Sequence, residues 1–267
     1  MKFIRNKRFK TYSVKGLIVC TFVLTFLSLS WKTSKDKPTI SATNSVHDSI
    51  SNIVNNEISF TNLVNDLYKD ADLKKANLAL PVFEKALIGF VNLKSKNALN
   101  ENKDILTIVD FTKPSTEKRM WIVDLKNKTL LLNTHVAHGQ GSGADMATNF
   151  SNIAESHQSS LGFYIASETY FGKHGLSLKL DGQDKGINDL ARERAIVVHG
   201  AKYVSENFIK STGRLGRSYG CPAVSEELNA KVIELIKGKT CFFINGNSKN
   251  YQSALLDNTN MSDIVSI

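Results

Sequence analysis

The sequence predicts a mainly β domain, a sandwich or barrel over residues 101–246, with a helical extension before it. Three observations carry this. Hydrophobic spacing is helical over residues 46–100 and changes near residue 104. Seven short runs rich in β-branched and apolar residues then follow, separated by Gly-bearing loops. After Cys221 the helical period returns for one stretch only.

In the extension, Leu63, Val64, Leu67 and Tyr68 share one helical stripe. Val82, Phe83, Ala86, Leu87, Phe90 and Val91 share another. Pro81 suits the first turn of the second helix, where its missing N–H would be unbonded anyway. The expected strands are 105–111, 119–125, 129–136, 161–166, 176–180, 195–199 and 240–245. Asn127 marks a turn between the second and third. The single later helix starts at Ser225 as N-cap, has Glu226 and Glu227 in its first turn, and stops at Gly238. Residues 247–267 read as a polar tail, and residues 31–45 as a linker ahead of the extension.

A chain of 267 residues with 42% apolar side chains, 16 Gly and 4 Pro is neither collagen-like nor wholly disordered. A single long apolar run excludes a multi-span membrane protein. The formal charge is +9, but six basic and no acidic side chains lie in residues 1–30. The remainder sets 28 basic against 25 acidic residues, a net +3. That balance argues against nucleic acid as a partner, because phosphate neutralisation needs a basic body.

The basic cluster precedes sixteen uncharged residues from Gly16 to Trp31, the form of a secretory signal or an N-terminal anchor. Ser28 and Ser30 are small residues two apart and allow cleavage after Ser30, while Val19 before Cys20 is bulky for a lipoprotein site. The body is therefore expected outside the cytoplasm, in the periplasm or cell envelope. Contact with the membrane is expected only through an uncleaved leader, and the chain is expected as a monomer. After cleavage Cys221 and Cys241 remain, and they either pair or leave at least one reactive thiol.

The densest chemical signal is Gly213-Arg-Leu-Gly-Arg-Ser-Tyr-Gly-Cys-Pro222, downstream of Val197-Val-His-Gly200. An ordinary thiol, pKa about 8.5, is a few per cent thiolate at neutral pH, so a nucleophilic cysteine needs a proton acceptor. His199, at the end of an apolar strand and before Gly200, is the candidate. The Gly-rich approach lets backbone N–H groups come close to a substrate, as an oxyanion hole requires. Pro222 has no N–H, which leaves Tyr219, Gly220 and Cys221 as donors. Ser218 is a further hydrogen-bonding candidate, and Arg217 and Arg214 are candidate partners for a substrate carboxylate.

These segments resemble murein L,D-transpeptidase catalytic domains of the YkuD-like type, in the branch where Pro follows the nucleophile. Val136-Ala-His-Gly-Gln-Gly-Ser-Gly143, Phe150-Ser-Asn152, Ser159-Ser-Leu-Gly162 and Gly213-Arg-Leu-Gly-Arg217 also resemble that branch, and the likeness spans roughly residues 75–246. The resemblance implies Cys221 as nucleophile, His199 as base, backbone donors at Tyr219–Cys221, and a mostly β catalytic fold. The implied activity is acyl transfer between peptidoglycan stem peptides, cleaving the L,D bond before a terminal D-alanine and forming 3→3 cross-links without metal or organic cofactor. The commoner form of the family has His where Tyr219 stands and a basic residue soon after the cysteine, where this chain has Pro222-Ala-Val. Eighteen residues separate His199 from Ser218, slightly more than in that form. Arg217 then becomes a candidate substitute anchor for the donor carboxylate, with Gly200 and His138 as further candidates beside the substrate; for His138 a structural role is the commoner alternative.

Other readings stand beside this one. With water as acceptor the same site is an L,D-carboxypeptidase. A Cys221–Cys241 disulfide would leave a catalytically silent wall-binding module. His135 and His138, with His157 and His174, raise a zinc peptidase, but three apart on a strand places the first two on opposite faces, and no H-E-x-x-H is present. Gly139-Gln-Gly-Ser-Gly143 lacks the Lys-Ser/Thr ending of a phosphate loop and reads as a mobile loop. Tyr170, Phe171, Tyr203 and Phe208 are candidates for a cleft wall or, more commonly, for core.

Overall fold

A computed structural model describes residues 58–257. The leader, the linker, the start of the extension and residues 258–267 of the tail lie outside the described residues. Residues 58–70 form helix α1, and α2 spans Leu80–Ser95 with Pro81 in its first turn. Eight strands follow: β1 (Ile105–Asp110), β2 (Met120–Asp124), β3 (Thr129–Thr134), β4 (Gly162–Gly172), β5 (Gly175–Gly182), β6 (Val197–Gly200), β7 (Ala223–Val224) and β8 (Thr240–Asn245). Helix α3 (Glu206–Thr212) lies between β6 and the loop that ends at Cys221, and α4 (Glu226–Ile236) follows β7.

The strands form one sheet in the order β3-β2-β1-β8-β4-β5-β6-β7. Most neighbours run antiparallel; β1 with β8 and β6 with β7 are parallel. The two edges meet. Beyond β3 the chain crosses to β7, where Ala137 pairs with Ala223, and Gly139 then bridges to Ser218. The choice between sandwich and barrel therefore falls on a single sheet curled into a nearly closed barrel.

Both faces of the central strands are covered, which explains why all six residues of β1 and all six of β8 are buried. On one face Leu106, Ile108, Trp121, Val123, Cys241 and Phe243 pack under α1 and α2. On the other, Ile105, Val109, Met120, Ile122, Phe242 and Ile244 pack with Val232, Ile233 and Ile236 of α4. Ser225 caps α4 by accepting the Leu228 N–H, and Lys103 Nζ donates to the Leu235 and Lys237 carbonyls at the other end. The extension belongs to the same core. Phe83 and Phe90 are fully buried, and the Trp121 indole donates to the Ala76 carbonyl at 2.8 Å.

The structure departs from the expected elements in three ways. Strand β3 ends at Thr134 rather than Val136, because the chain leaves β2 there to close the barrel. β4 and β5 run on into a hairpin whose Tyr170 and Phe171 are exposed, so those aromatics are not core. Two elements went unforeseen: α3 buries no residue and so has no apolar stripe, and β7 is two residues long. The described part of the tail is docked on the extension. Leu255 is buried against the extension, and Asn92 Nδ2 donates to the Leu255 and Asp257 carbonyls.

Phe83→Ala is expected to lower the unfolding free energy by about 3–5 kcal/mol, in a single urea transition shared by the helical and β regions. A separate early transition for the extension would contradict the shared core.

Candidate active site

The loop from Gly213 to Pro222 is held from two sides. On one side, the Ser218 N–H donates to the His138 carbonyl at 3.0 Å and the Gln140 N–H donates to the Ser218 carbonyl at 2.8 Å. Gly139 is required at this crossing, since a Cβ there would stand 2.8 Å from Gly220 Cα. On the other side, Cys221 Sγ accepts the Val197 N–H of β6 at 3.4 Å and donates to the Ala195 carbonyl at 3.6 Å. The loop also braces itself. Ser218 Oγ donates to the Cys221 carbonyl at 2.6 Å and accepts the Gly220 N–H at 3.1 Å.

His199 is buried on the same strand that docks the sulfur, two residues beyond Val197 and so about 6.6 Å along it between Cα atoms. No hydrogen bond joins Cys221 Sγ to His199 among the described residues. His199 Nδ1 lies 3.0 Å from the Gly200 carbonyl. A carbonyl only accepts, so Nδ1 carries the proton and the Nε2 lone pair is the basic site. The ring stacks on His174 of the β4–β5 hairpin at 4.4 Å between centroids. Gly200 packs against the first turn of α4, where a Cβ would meet Asn229 Cβ at 3.0 Å.

Burial pushes the Cys221 thiol above its ordinary pKa, with smaller opposing pulls from the Val197 N–H and the Arg194 guanidinium. Burial likewise pulls the His199 imidazole below its ordinary value, the Gly200 hydrogen bond opposing and His174 adding to the shift. Both shifts favour the uncharged forms, so the resting pair at neutral pH is thiol and imidazole.

Of the three backbone donors expected from sequence, Gly220 is engaged by Ser218. The Tyr219 and Cys221 N–H groups have no hydrogen-bond partner among the described residues. The Tyr219 ring is 69% exposed and stacks on His157 at 4.3 Å. Arg217 Nη1 donates to the Gly143 carbonyl at 2.8 Å and the Gln140 carbonyl at 3.4 Å. Residues Gln140–Ser142, expected as a mobile loop, form a 3₁₀ turn tied to Ser218 and to the His157 carbonyl.

His138 lies fully buried behind the site, not at its mouth. Its Nδ1 accepts from Arg119 Nη2 at 2.7 Å, and its Nε2 is buried without a hydrogen-bond partner. Burial first, and then the Arg119 charge, bring its pKa down to about 4, so it is neutral. Cys241 is also buried, on the sheet face that packs under α1 and α2, whereas Cys221 packs at the edge of the opposite core. Both thiols are free. Among the described residues no group of three His, Cys, Asp or Glu is placed to hold a metal ion.

Residues 74–245 match the family profile described as L,D-transpeptidase catalytic domain. The chain belongs to this family. Similar solved structures include an L,D-transpeptidase from Mycobacterium smegmatis, at 11% identity over 54% of this chain and 59% of that one, with a TM-score of 0.33. The helical cell shape determining protein Pgp2 from Campylobacter jejuni is similar at 15% identity over 67% of this chain and 59% of that one, with a TM-score of 0.35. The chain thus spans 59% of the length of either protein. No curated protein matches it.

Two contributors to this L,D-transpeptidase domain escaped the sequence reading. Arg194, in the charged run Ala191-Arg-Glu-Arg-Ala195, looks like a solvated residue. Its guanidinium instead spans the Ser151 and Gln158 carbonyls at 2.8 and 2.6 Å and is a cation near the thiol. Ser159 was visible only as part of a motif, since a serine that bonds backbone leaves no pattern of its own.

Iodoacetamide alkylation of Cys221 is expected to rise about tenfold per pH unit between pH 6 and 8, as for a thiol titrating above that range. Arg194→Gln should move the rise to higher pH. A flat reactive plateau across pH 6–8 would indicate a preformed thiolate–imidazolium pair and contradict the neutral resting state.

Proposed function

We propose that the chain is an exported cysteine acyltransferase acting on peptidoglycan stem peptides outside the cytoplasm. The observation that carries this reading is the family match over residues 74–245, with the sulfur of Cys221 docked on the strand that bears His199. In the first step Sγ turns from the Ala195 carbonyl to His199 Nε2 and gives up its proton there. It attacks the carbonyl carbon joining the diamino acid at position three of a stem to its terminal D-alanine. The new S–C bond leaves a negative oxygen for the Tyr219 and Cys221 N–H groups. Collapse breaks the C–N bond, and His199 passes its proton to the departing D-alanine amine.

In the second step the side-chain amine of another stem attacks the thioester. His199 takes the amine proton, the new amide C–N bond forms, and the sulfur leaves to be reprotonated. The product is a 3→3 cross-link. Neither step calls for a metal or organic cofactor. Arg217 Nε and Nη2, left over from the bonds that Nη1 makes to the loop, are assigned to the donor carboxylate. The neutral resting pair supports general-base attack in a site partly shielded from water.

Incubation with tetrapeptide muropeptides, followed by mass analysis of the products, tests the reading. Cys221→Ala is expected to abolish D-alanine release and dimer formation, while Cys241→Ala largely preserves both. Dimers establish transfer, and shortened monomers alone would make the enzyme an L,D-carboxypeptidase. Equal tolerance of both substitutions would remove the mechanism.

A further inference from the structure

Ser159 is fully buried where the 139–143 turn meets the nucleophile loop. Its hydroxyl oxygen accepts the Gly139 N–H at 3.0 Å, and its own N–H donates to Ser142 Oγ at 2.9 Å. The single hydroxyl proton points to the Gly220 carbonyl, also at 3.0 Å. This hydrogen bond has a directional consequence. The peptide joining Gly220 to Cys221 is planar and trans, so its C=O and N–H point in opposite directions. Anchoring the carbonyl inward on Ser159 therefore aims the Cys221 N–H outward, and that N–H has no hydrogen-bond partner among the described residues.

The backbone alone does not fix this orientation. Gly220 sits at φ +122°, a conformation glycine enters and leaves freely, so the peptide can rotate about it unless something holds the carbonyl. On the N-terminal side the Gly220 N–H is held by Ser218. On the C-terminal side the Gly220 carbonyl is held by Ser159. The neighbouring Ser160 does different work, donating to the Ser151 carbonyl and accepting from Arg194.

We propose that Ser159 is a positioning residue for the oxyanion hole: its hydrogen bond to the Gly220 carbonyl sets the direction of the Cys221 N–H before substrate arrives. The assignment rests on the acyltransferase reading and deepens it. Ser159 touches no reacting atom and acts only through the 220–221 peptide. Acyl transfer passes through a tetrahedral oxyanion and needs that N–H, whereas displacement of iodide by the same sulfur does not.

The test compares two rates on the full chain: acylation of Cys221 by imipenem, followed by intact mass, and alkylation of Cys221 by iodoacetamide. Ser159→Ala is expected to slow acylation about 10–100-fold, less than or comparable to deleting an oxyanion donor outright. Alkylation should stay within about twofold, because thiolate content and access are unchanged. Ser159→Cys, with a weaker donor of similar shape, should show the same split at smaller size, and it decides the matter if Ser159→Ala does not fold. Acylation at the wild-type rate, or a parallel fall of both rates, would overturn the assignment while leaving the acyltransferase reading intact. A wild-type chain that neither imipenem nor a tetrapeptide stem acylates would remove that reading, and this assignment with it.

Discussion

The pairing of residues 137–140 with the loop that ends at Cys221 is the constraint on which the site depends. That loop carries glycines at 213, 216 and 220, and by itself would have many conformations to lose. Crossing from β3 to β7, the chain gives it a backbone partner on one side, while β6 supplies the partner on the other. Closing the sheet and fixing Cys221 are therefore one event. The crossing segment is anchored from within by Arg119, which donates to the Val136 carbonyl and to His138 Nδ1 and lies 4.9 Å from the Phe111 ring centroid. A buried guanidinium is tolerable because its N–H groups find carbonyls and an imidazole nitrogen.

The electrostatics of the pair follow from the same burial. Taking a thiol and an imidazole partly out of water penalises thiolate and imidazolium alike, which raises one pKa and lowers the other. The sulfur then rests protonated on a backbone carbonyl, and in the proposed mechanism charge appears only during attack. Such a site relies on preorganised donors at the oxyanion rather than on a standing ion pair. Ser218 and Ser159 both spend their hydroxyls on the backbone around Gly220, which is what preorganisation requires of a glycine-rich loop.

How much of this the sequence shows depends on what kind of bond each residue makes. β1 and β8 were legible because most of their side chains are apolar and all are buried, a consequence of a sheet covered on both faces. Cys221 and His199, the proposed nucleophile and base, stood out because each lies in a recognisable run, and the structure sets the sulfur on the strand that bears His199. By contrast, β7 is two residues held by its neighbours, and α3 rests on caps at Ser205 and Gly213 with no buried face. For His138 the sequence left a place beside the substrate and a structural role both open, because nothing in Val136-Ala-His-Gly139 tells of Arg119, nineteen residues upstream of the histidine, that buries with it. Arg194 and the tail at Leu255 were missed for a related reason: their partners are backbone carbonyls or a distant helix, and neither leaves a period in the sequence.

The central claim is that the sulfur at position 221 takes the acyl group of a stem peptide while the imidazole at 199 manages the protons. Intact mass of the full chain after brief exposure to a tetrapeptide stem tests it most directly. The account predicts a mass gain equal to the stem less one D-alanine molecule, located on the peptide containing Cys221, and its absence from Cys221→Ala. Release of D-alanine by Cys221→Ala at the wild-type rate, or an adduct carried on any other residue, would contradict it.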